Sequence, residues 1–197
     1  MTINMPHPSE ALVLARIPAA LIERLVRVKL MVFDIDGVLT DGSLWYGDQG
    51  EVFKRFHALD GLGIKMLINS GIRVALVTGR TSKIVNIRAA ELGVADILQD
   101  VKDKGLAVSE LIHRHHILLE EVGFMGDDLI DIAAMQKAGF AATVPEAPPY
   151  IAQAAHWVSG KLGGHGAVRE CCDLILASQG KLAPFFQPNS LGPGVIQ

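Results

Sequence analysis

Cysteine is scarce in this sequence, and its placement limits what the thiols can do. Two of the 197 residues are cysteines, and they are neighbours, Cys171 and Cys172. Adjacent cysteines rarely bond to each other, because a disulfide requires separated Cα atoms with converging side chains. We therefore expect two reduced thiols in the core or at an interface, which is typical of a cytoplasmic protein.

The sequence also lacks a surplus of basic charge and a long apolar segment. It carries 18 Lys and Arg residues against 21 Asp and Glu residues, for a net charge of −3. Nucleic-acid-binding proteins and polybasic membrane surfaces usually show an excess of positive charge. A membrane span needs about 20 apolar residues in succession, and Arg16 divides the apolar stretch near the N-terminus. We therefore expect neither nucleic acid nor a membrane as a partner.

Apolar residues, by contrast, are abundant and follow an alternating pattern. They make up 50% of the chain, which is enough for the core of one domain of ordinary size. After residue 29, strand-like runs alternate with helical patterns. This predicts an α/β fold, with a Rossmann-like parallel sheet between two layers of helices. The strand-like runs are 29–33, 73–77, 97–98, 122–125, 140–144 and 157–158.

Capping residues indicate where three of the helices begin or end. A helix is predicted over 62–69, where the apolar residues recur on one face. Thr81 or Ser82 can cap the second helix, which Gly93 ends, and Asp103 can open the third.

The predicted domain has one insertion and two flanking segments. Between the first strand and the first helix, residues 43–54 read as a β-hairpin around a Gly-Asp-Gln-Gly turn. This insertion is too small to be a cap domain. We predict an N-terminal arm and helix over 1–28, the main domain over 29–181, and a flexible tail over 182–197.

Polar side chains follow the predicted strands at the points where the strands end. In parallel sheets these carboxyl ends share one edge, and ligands bind there. Asp34 and Asp36 are one residue apart, so both carboxylates can face the same side of the strand. The other members of the predicted cluster are Thr78, Gly79, Arg80, Lys104, Asp127, Asp128 and Asp131.

The clustered carboxylates predict a magnesium site. Like charges placed this close repel each other unless a cation or a shared proton relieves them. Carboxylate oxygens are ligands that suit Mg²⁺, which also binds phosphate oxygens. The alternative metal ligands, His113, His115 and His116, lie on a polar helical face and are expected to be solvated. An aspartate beside Mg²⁺ and a lysine favours phosphoryl transfer through an aspartyl phosphate.

Four segments resemble the motifs of haloacid dehalogenase-like phosphatases. The stretch 34–42 resembles their first motif, and Thr78-Gly79-Arg80 resembles the second. Lys104 resembles the third motif, and 126–131 resembles the fourth. Further segments are similar to the capless subgroup of 3-deoxy-D-manno-octulosonate 8-phosphate phosphatases; they are 56–64, 163–170 and 179–182.

The resemblance implies a role for each motif residue. Asp34 would be the nucleophile, and Asp36 the general acid and base. The metal ligands would be the carboxylates of Asp34 and Asp127 and the backbone carbonyl of Asp36. Thr78 and Lys104 would hold phosphate oxygens.

Other residues in these motifs have supporting roles or open alternatives. Lys102 competes with Lys104 for the lysine role. The resemblance places Asp128 beside the metal ligands or the lysine. Asp131 is a second supporting residue, although it could instead favour a helix N-terminus through the helix dipole.

The resemblance also implies a substrate and an assembly. The substrate would be a small acid-sugar phosphate, and the candidates to bind it, besides Thr78 and Lys104, are Gly79, Arg80, His57 and Gly61. Capless members assemble as homo-oligomers, so we expect a tetramer in which the hairpin packs between subunits.

Three functions are therefore expected from the sequence. The first is Mg-dependent hydrolysis of 3-deoxy-D-manno-octulosonate 8-phosphate in lipopolysaccharide precursor synthesis. The second is hydrolysis of a nine-carbon sialic-acid-type 9-phosphate. The third is a phospho-accepting signalling domain, which would have no need of an acid and base at Asp36.

Overall fold

The computed structural model describes residues 7–187, and its centre is a six-stranded parallel sheet. The spatial order of the strands is β5-β4-β1-β6-β7-β8. The strands are β1 (Leu30–Phe33), β4 (Arg73–Val77), β5 (Asp96–Leu98), β6 (Val122–Met125), β7 (Phe140–Thr143) and β8 (Trp157–Val158). The predicted Rossmann-like sheet is confirmed.

Helices cover both faces of the sheet. One face packs on α2 (Ala19–Leu25), α3 (Ala58–Asn69), α4 (Lys83–Leu92) and α8 (Ala167–Ser178), and α1 (Pro8–Leu14) lies outside them against α8. The other face packs on α5 (Lys104–His115), α6 (Ile132–Lys137) and α7 (Pro149–Ala154). The result is the predicted three-layer α/β/α arrangement.

Strand β1 is buried on both faces because its apolar residues continue without a polar interruption. Met31 and Phe33 point into one half of the core, and Leu30 and Val32 point into the other. From β1 the chain runs outward through β4 and β5, and then returns to β6 on the opposite side. The strands that follow β1 are therefore added first on one side of it and then on the other. Ligands bind beside this reversal of strand order in folds of this class.

The hairpin forms as predicted, from β2 (Trp45–Gly47) and β3 (Gly50–Phe53). Its side chains stay largely outside the core, and the rings of Trp45 and Phe53 stack with centroids 4.9 Å apart. Within residues 7–187 this hairpin is the whole insertion between β1 and α3, so no cap domain stands there.

Helix α3 begins four residues before its predicted start at residue 62. Gly61 and Gly63 lower the intrinsic helix propensity there, but both are required for close packing. A Cβ on Gly63 would lie 3.1 Å from the Cα of Arg169 in α8. Tertiary packing therefore outweighs local propensity in this turn.

Both ends of the described chain are more ordered than the sequence predicts. Helix α1 forms within the predicted N-terminal arm, and its buried Glu10 accepts hydrogen bonds from the amides of Leu182 (3.0 Å) and Ala183 (2.9 Å). A 3-10 helix follows at Ala183–Phe186, within the first residues of the predicted tail. The remainder of the predicted tail, 188–197, lies outside the described residues.

Two further sequence predictions concern the thiols and the membrane. Cys171 and Cys172 are free and fully buried in α8, as predicted. Among the described residues, none of the helices has both the length and the apolar character that a bilayer crossing requires.

Candidate active site

Three adjacent strands deliver the central residues of the predicted cluster to one edge. Asp34, Thr78 and Asp127 each follow their strand within two residues, after β1, β4 and β6. Because β1 pairs with both β4 and β6, these residues lie side by side. The structure therefore brings together residues that are almost a hundred positions apart in the sequence.

The loop after β1 is packed so closely, by the Asp127 side chain on one side and by backbone on the other, that its contacts require glycine. Gly37 has a φ of 95°, and a Cβ there would lie 2.0 Å from Asp127 Oδ2. On the opposite side, a Cβ on Gly163 would lie 1.9 Å from the carbonyl oxygen of Gly37, and the Gly164 amide donates to the Val38 carbonyl at 3.0 Å. The segment 163–166, which lies within the resembling stretch 163–170, therefore supports the loop that follows Asp34.

Lys104 lies at the centre of the cluster, between two buried carboxylates. Its Nζ is 2.7 Å from Asp34 Oδ1 and 2.6 Å from Asp131 Oδ1, and its side chain is 1% exposed. The other Asp131 oxygen accepts the amides of Asp127 and Asp128, both at 3.1 Å. Asp131 thus fixes both the lysine and the loop that carries Asp127.

Burial and repulsion from Asp131 raise the pKa values of two of these acids. The pKa of Asp34 is raised well above its usual value, first by burial and then by the charge of Asp131. The same two causes raise the pKa of Asp127 to about 6. Both shifts show that the ionised acids lack sufficient positive charge in the protein alone, although Lys104 partly offsets the repulsion.

The donor set fits a hard divalent cation. Oxygen atoms of Asp34, Asp127 and Asp131 lie within 4.8 Å of one another. Among the described residues, Asp127 Oδ1 is buried and has no hydrogen-bond partner, so this oxygen is left for a ligand. An all-carboxylate set suits Mg²⁺ rather than zinc. The side chain of Asp131 is already used by Lys104 and two amides, which leaves Asp34 and Asp127 as the freer ligands.

Several neighbouring residues lie where the sequence did not predict them. Lys102 is exposed and pairs with Asp100 at 2.6 Å, away from the buried cluster. Asp128 is also exposed, and its Oδ1 accepts the Leu129 amide at 2.7 Å. The support role predicted for Asp128 therefore belongs to Asp131, because only the latter reaches Lys104.

The histidine trio is not uniformly solvated. His113 and His116 are exposed, but His115 is partly buried and its Nε2 lies 2.7 Å from Asp96 Oδ2. This pair lies at the amino end of β5, whereas the clustered carboxylates lie at the carboxyl ends of the strands. The trio does not share one ligand site with the carboxylates of Asp34, Asp127 and Asp131.

The remaining substrate candidates fall into two groups. Thr78 is buried, and Arg80 directs its guanidinium to the hydroxyl of Tyr46 and lies 3.9 Å from Asp36 Oδ2. His57 occupies the N-cap position of α3 without a side-chain capping hydrogen bond, whereas Gly61 packs against α4 and its amide donates to the His57 carbonyl at 3.2 Å. The Gly61 amide is therefore occupied, which argues against its predicted role in substrate binding.

Sequence reasoning missed Lys54. Its side chain is 2% exposed and its Nζ contacts Asp36 Oδ1 and, at 3.0 Å, Glu51 Oε1. Ser82, one of the two predicted caps, is the N-cap residue of α4, but its hydroxyl donates to Glu51 Oε2 rather than accepting from a helix amide. The available signal was a lysine directly after the apolar pair Val52-Phe53, at the point where the hairpin returns to the sheet.

Comparison with known proteins adds independent evidence. Residues 81–169 match the family model described as haloacid dehalogenase-like hydrolase. The 3-deoxy-D-manno-octulosonate 8-phosphate phosphatase of Escherichia coli K12 is 42% identical over 166 residues, which cover 84% of this chain and 88% of that protein. The phosphatase of the same name from Yersinia pestis is 44% identical over 161 residues, 82% of this chain and 86% of that protein.

The chain belongs to the haloacid dehalogenase-like hydrolase family. Within it, these identities place the chain with the 3-deoxy-D-manno-octulosonate 8-phosphate phosphatases. A solved member from Moraxella catarrhalis, in complex with a magnesium ion, a phosphate ion and a KDO molecule, has a TM-score of 0.82 and 39% identity. The match covers 84% of this chain and 95% of that one. The resemblance carried by the four motifs is therefore confirmed at the level of the family.

Proposed function

We propose that this protein is a Mg²⁺-dependent phosphatase that hydrolyses 3-deoxy-D-manno-octulosonate 8-phosphate. The observation that carries the proposal is the buried Asp34–Lys104–Asp131 network beside Asp127, in a chain 42% identical to phosphatases of that name. The sialic-acid-type 9-phosphate and the signalling domain are not favoured, since the matched relatives carry neither function in their names.

The first half of the proposed reaction transfers the phosphoryl group to the protein. A carboxylate oxygen of Asp34 attacks phosphorus while the bond from phosphorus to the sugar oxygen breaks. Asp36 gives its proton to that departing oxygen, so the sugar leaves as an alcohol. Thr78 and Lys104 hold the phosphate oxygens, and both side chains are buried and in place before substrate arrives.

The second half returns the protein to its starting state. Asp36, now a carboxylate, takes a proton from a water molecule as the water attacks phosphorus. The bond between Asp34 and phosphorus breaks, and inorganic phosphate is released. When bound by Asp34, Asp127 and the Asp36 carbonyl, Mg²⁺ would neutralise the negative charge of the phosphoryl group.

A substrate panel tests the assignment. We expect release of phosphate from the eight-carbon 8-phosphate in the presence of Mg²⁺ with a kcat/KM at least about 10-fold above that for the nine-carbon 9-phosphate. A factor of this size corresponds to about 1.4 kcal/mol of transition-state discrimination. Equal rates on every sugar phosphate would contradict the specific substrate, and no turnover with any of them would contradict the phosphatase.

Magnesium should stabilise the protein more strongly at neutral than at acidic pH. The pKa of Asp127 is raised to about 6 in the folded protein, from a usual value of 3.8. Its contribution to metal-free stability is therefore fully present below about pH 4 and is lost as the pH rises through about 6. Mg²⁺ binds the ionised acid, so its effect on Tm should be about 5 °C or more near pH 7.5 and small near pH 5.

Thermal melts with and without Mg²⁺ at both pH values measure this effect. The control variant is Asp127→Asn, which should lose most of the magnesium-induced shift and melt higher than the wild type without metal near pH 7.5. A shift that is the same at both pH values, or that survives in the variant, would contradict the assigned ligand.

We also propose a homo-oligomeric assembly and a cytoplasmic location. The exposed side chains of Leu44, Trp45, Tyr46, Val52 and Phe53 cluster on the hairpin, which supports its burial between subunits. Sedimentation analysis should give a tetramer, and a monomer at micromolar concentration would contradict this part of the proposal. The free cysteines support a reducing compartment.

A further inference from the structure

Lys54 is a buried cation for which the reaction described above has no role. Together with Lys104 it makes up the buried lysines of residues 7–187. A buried charge is costly unless it is paired and hydrogen-bonded, and Lys54 is paired twice, with Asp36 and Glu51. Burial disfavours its charged form, but these hydrogen bonds outweigh burial and raise its pKa. Lys54 is therefore a fixed positive charge.

The partners of Lys54 hold it rigidly. Glu51 lies in β3 and contacts Lys54 at 3.0 Å, and the Ser82 hydroxyl donates to the other Glu51 oxygen. The amide of Ser82 in turn donates to Gln99 Oε1 at 2.6 Å. The hairpin strand is thereby tied to the start of α4 and to the residue after β5, so Lys54 does not depend on a mobile loop for its position.

The two oxygens of Asp36 have different environments. Oδ1 accepts a hydrogen bond from Lys54, whereas Oδ2 is buried and accepts none from the described residues. Arg80 Nε lies 3.9 Å from Oδ2, beyond hydrogen-bonding distance. One oxygen is thus anchored, and the other has no hydrogen-bond partner among the described residues, so it is left to face the substrate.

We propose that Lys54 is a positioning residue, which anchors Asp36 Oδ1 so that Oδ2 transfers the proton to the departing sugar oxygen. Asp36 becomes a carboxylate when it gives up that proton, and the adjacent ammonium group stabilises the new charge. Within residues 7–187 no cap domain closes over Asp36, so the lysine that follows the hairpin supplies the constraint. This inference rests on the phosphatase activity proposed above.

The leaving group of the substrate tests this role. A sugar alkoxide requires protonation as it leaves, whereas p-nitrophenolate leaves readily without a proton. For Lys54→Met we expect kcat/KM to fall by about 100-fold on the sugar phosphate and by less than about 10-fold on p-nitrophenyl phosphate. A lysine that only supported the fold would lower both values by the same factor.

Matched variants separate the possible causes. Lys29→Met removes an exposed lysine from a pair with Glu121 at the opposite end of β1 and should change both rates less than twofold. Because Lys54→Met leaves Glu51 with only the Ser82 hydroxyl and Arg80, whose guanidinium is 3.9 Å away, the double variant Lys54→Met/Glu51→Gln removes that charge as well and is measured alongside. Circular dichroism melts identify which variant is folded, and the selective loss is expected in either.

Each outcome decides the inference. A uniform loss on both substrates, or no loss, in folded Lys54 variants would overturn the positioning role while leaving the phosphatase intact. Asp36→Asn should show the same selective loss as Lys54→Met. If it does not, or if the wild type hydrolyses no sugar phosphate, the mechanism proposed above fails, and the role of Lys54 fails with it.

Discussion

Replacing Asp34 by Asn is expected to lower kcat/KM by at least about 10⁴-fold while leaving the fold intact. Asn has nearly the same size as Asp but lacks a nucleophilic carboxylate. Lys104 keeps its second partner, Asp131, at 2.6 Å, so the buried cation stays paired in the variant. The change also removes one of two buried carboxylates, Asp34 and Asp131, that repel each other. The melting temperature should therefore change little.

Steady-state phosphate release and intact-protein mass spectrometry measure the result together. The matched control is Asp36→Asn, which keeps the nucleophile but lacks the base for the second step. We expect phosphorylated protein to accumulate in that variant and to be absent from Asp34→Asn. Turnover by Asp34→Asn near the wild-type rate would refute the role of Asp34 as nucleophile.

Replacing Lys104 by Met should have the largest effect on stability. The change leaves Asp34 and Asp131 buried without the cation that contacts both of them. Removal of one partner from a buried ion pair typically costs about 3–5 kcal/mol in the free energy of unfolding. Urea denaturation without Mg²⁺ measures this loss, and phosphate release should also fall by at least about 100-fold because a phosphate contact is lost.

Lys102→Met provides the contrast, because Lys102 lies two residues away and pairs with Asp100 on the surface. Exposed ion pairs contribute about 0–1 kcal/mol to the free energy of unfolding. The urea midpoint and the rate of phosphate release of this variant should therefore be close to those of the wild type. Part of the stability lost in Lys104→Met should return when Asp131→Asn is added, since one unpaired charge is then removed. The reverse ranking of the two lysine variants would contradict the structure of the site.

The sheet and the acids that it carries could be predicted from the sequence because their signals are local. Apolar runs located the six strands, and the residues after β1, β4 and β6 fell at one edge because carboxyl ends of parallel strands converge. Four motifs in order then selected the family. The predicted start of α3 was wrong because two glycines lower the helix propensity of its first turns. Both glycines are needed for packing against neighbouring helices, which the propensity of a single sequence does not reveal.

Residues whose role depends on long-range contacts could not be assigned in this way. Asp128 and Asp131 follow the same strand, and only the path of the chain after it shows that Asp131 turns inward to Lys104. Lys54 is another such case, since it meets Asp36 across 18 positions and through a separate two-stranded sheet. Gly61 is the opposite case. Its place in a segment that resembles the family suggested a role in substrate binding, but in the structure it packs against α4.

The glycines at positions 163 and 164 have a consequence for how this enzyme can be studied and altered. Scanning mutagenesis removes atoms and asks what is lost, but at these positions every substitution adds atoms against the main chain of the loop that follows Asp34. A loss of activity in such a variant would come from a steric clash that displaces the loop, and the fall in turnover would resemble that expected from loss of Asp34, the proposed nucleophile. Libraries intended to change substrate preference should therefore leave this pair fixed and vary the surrounding side chains.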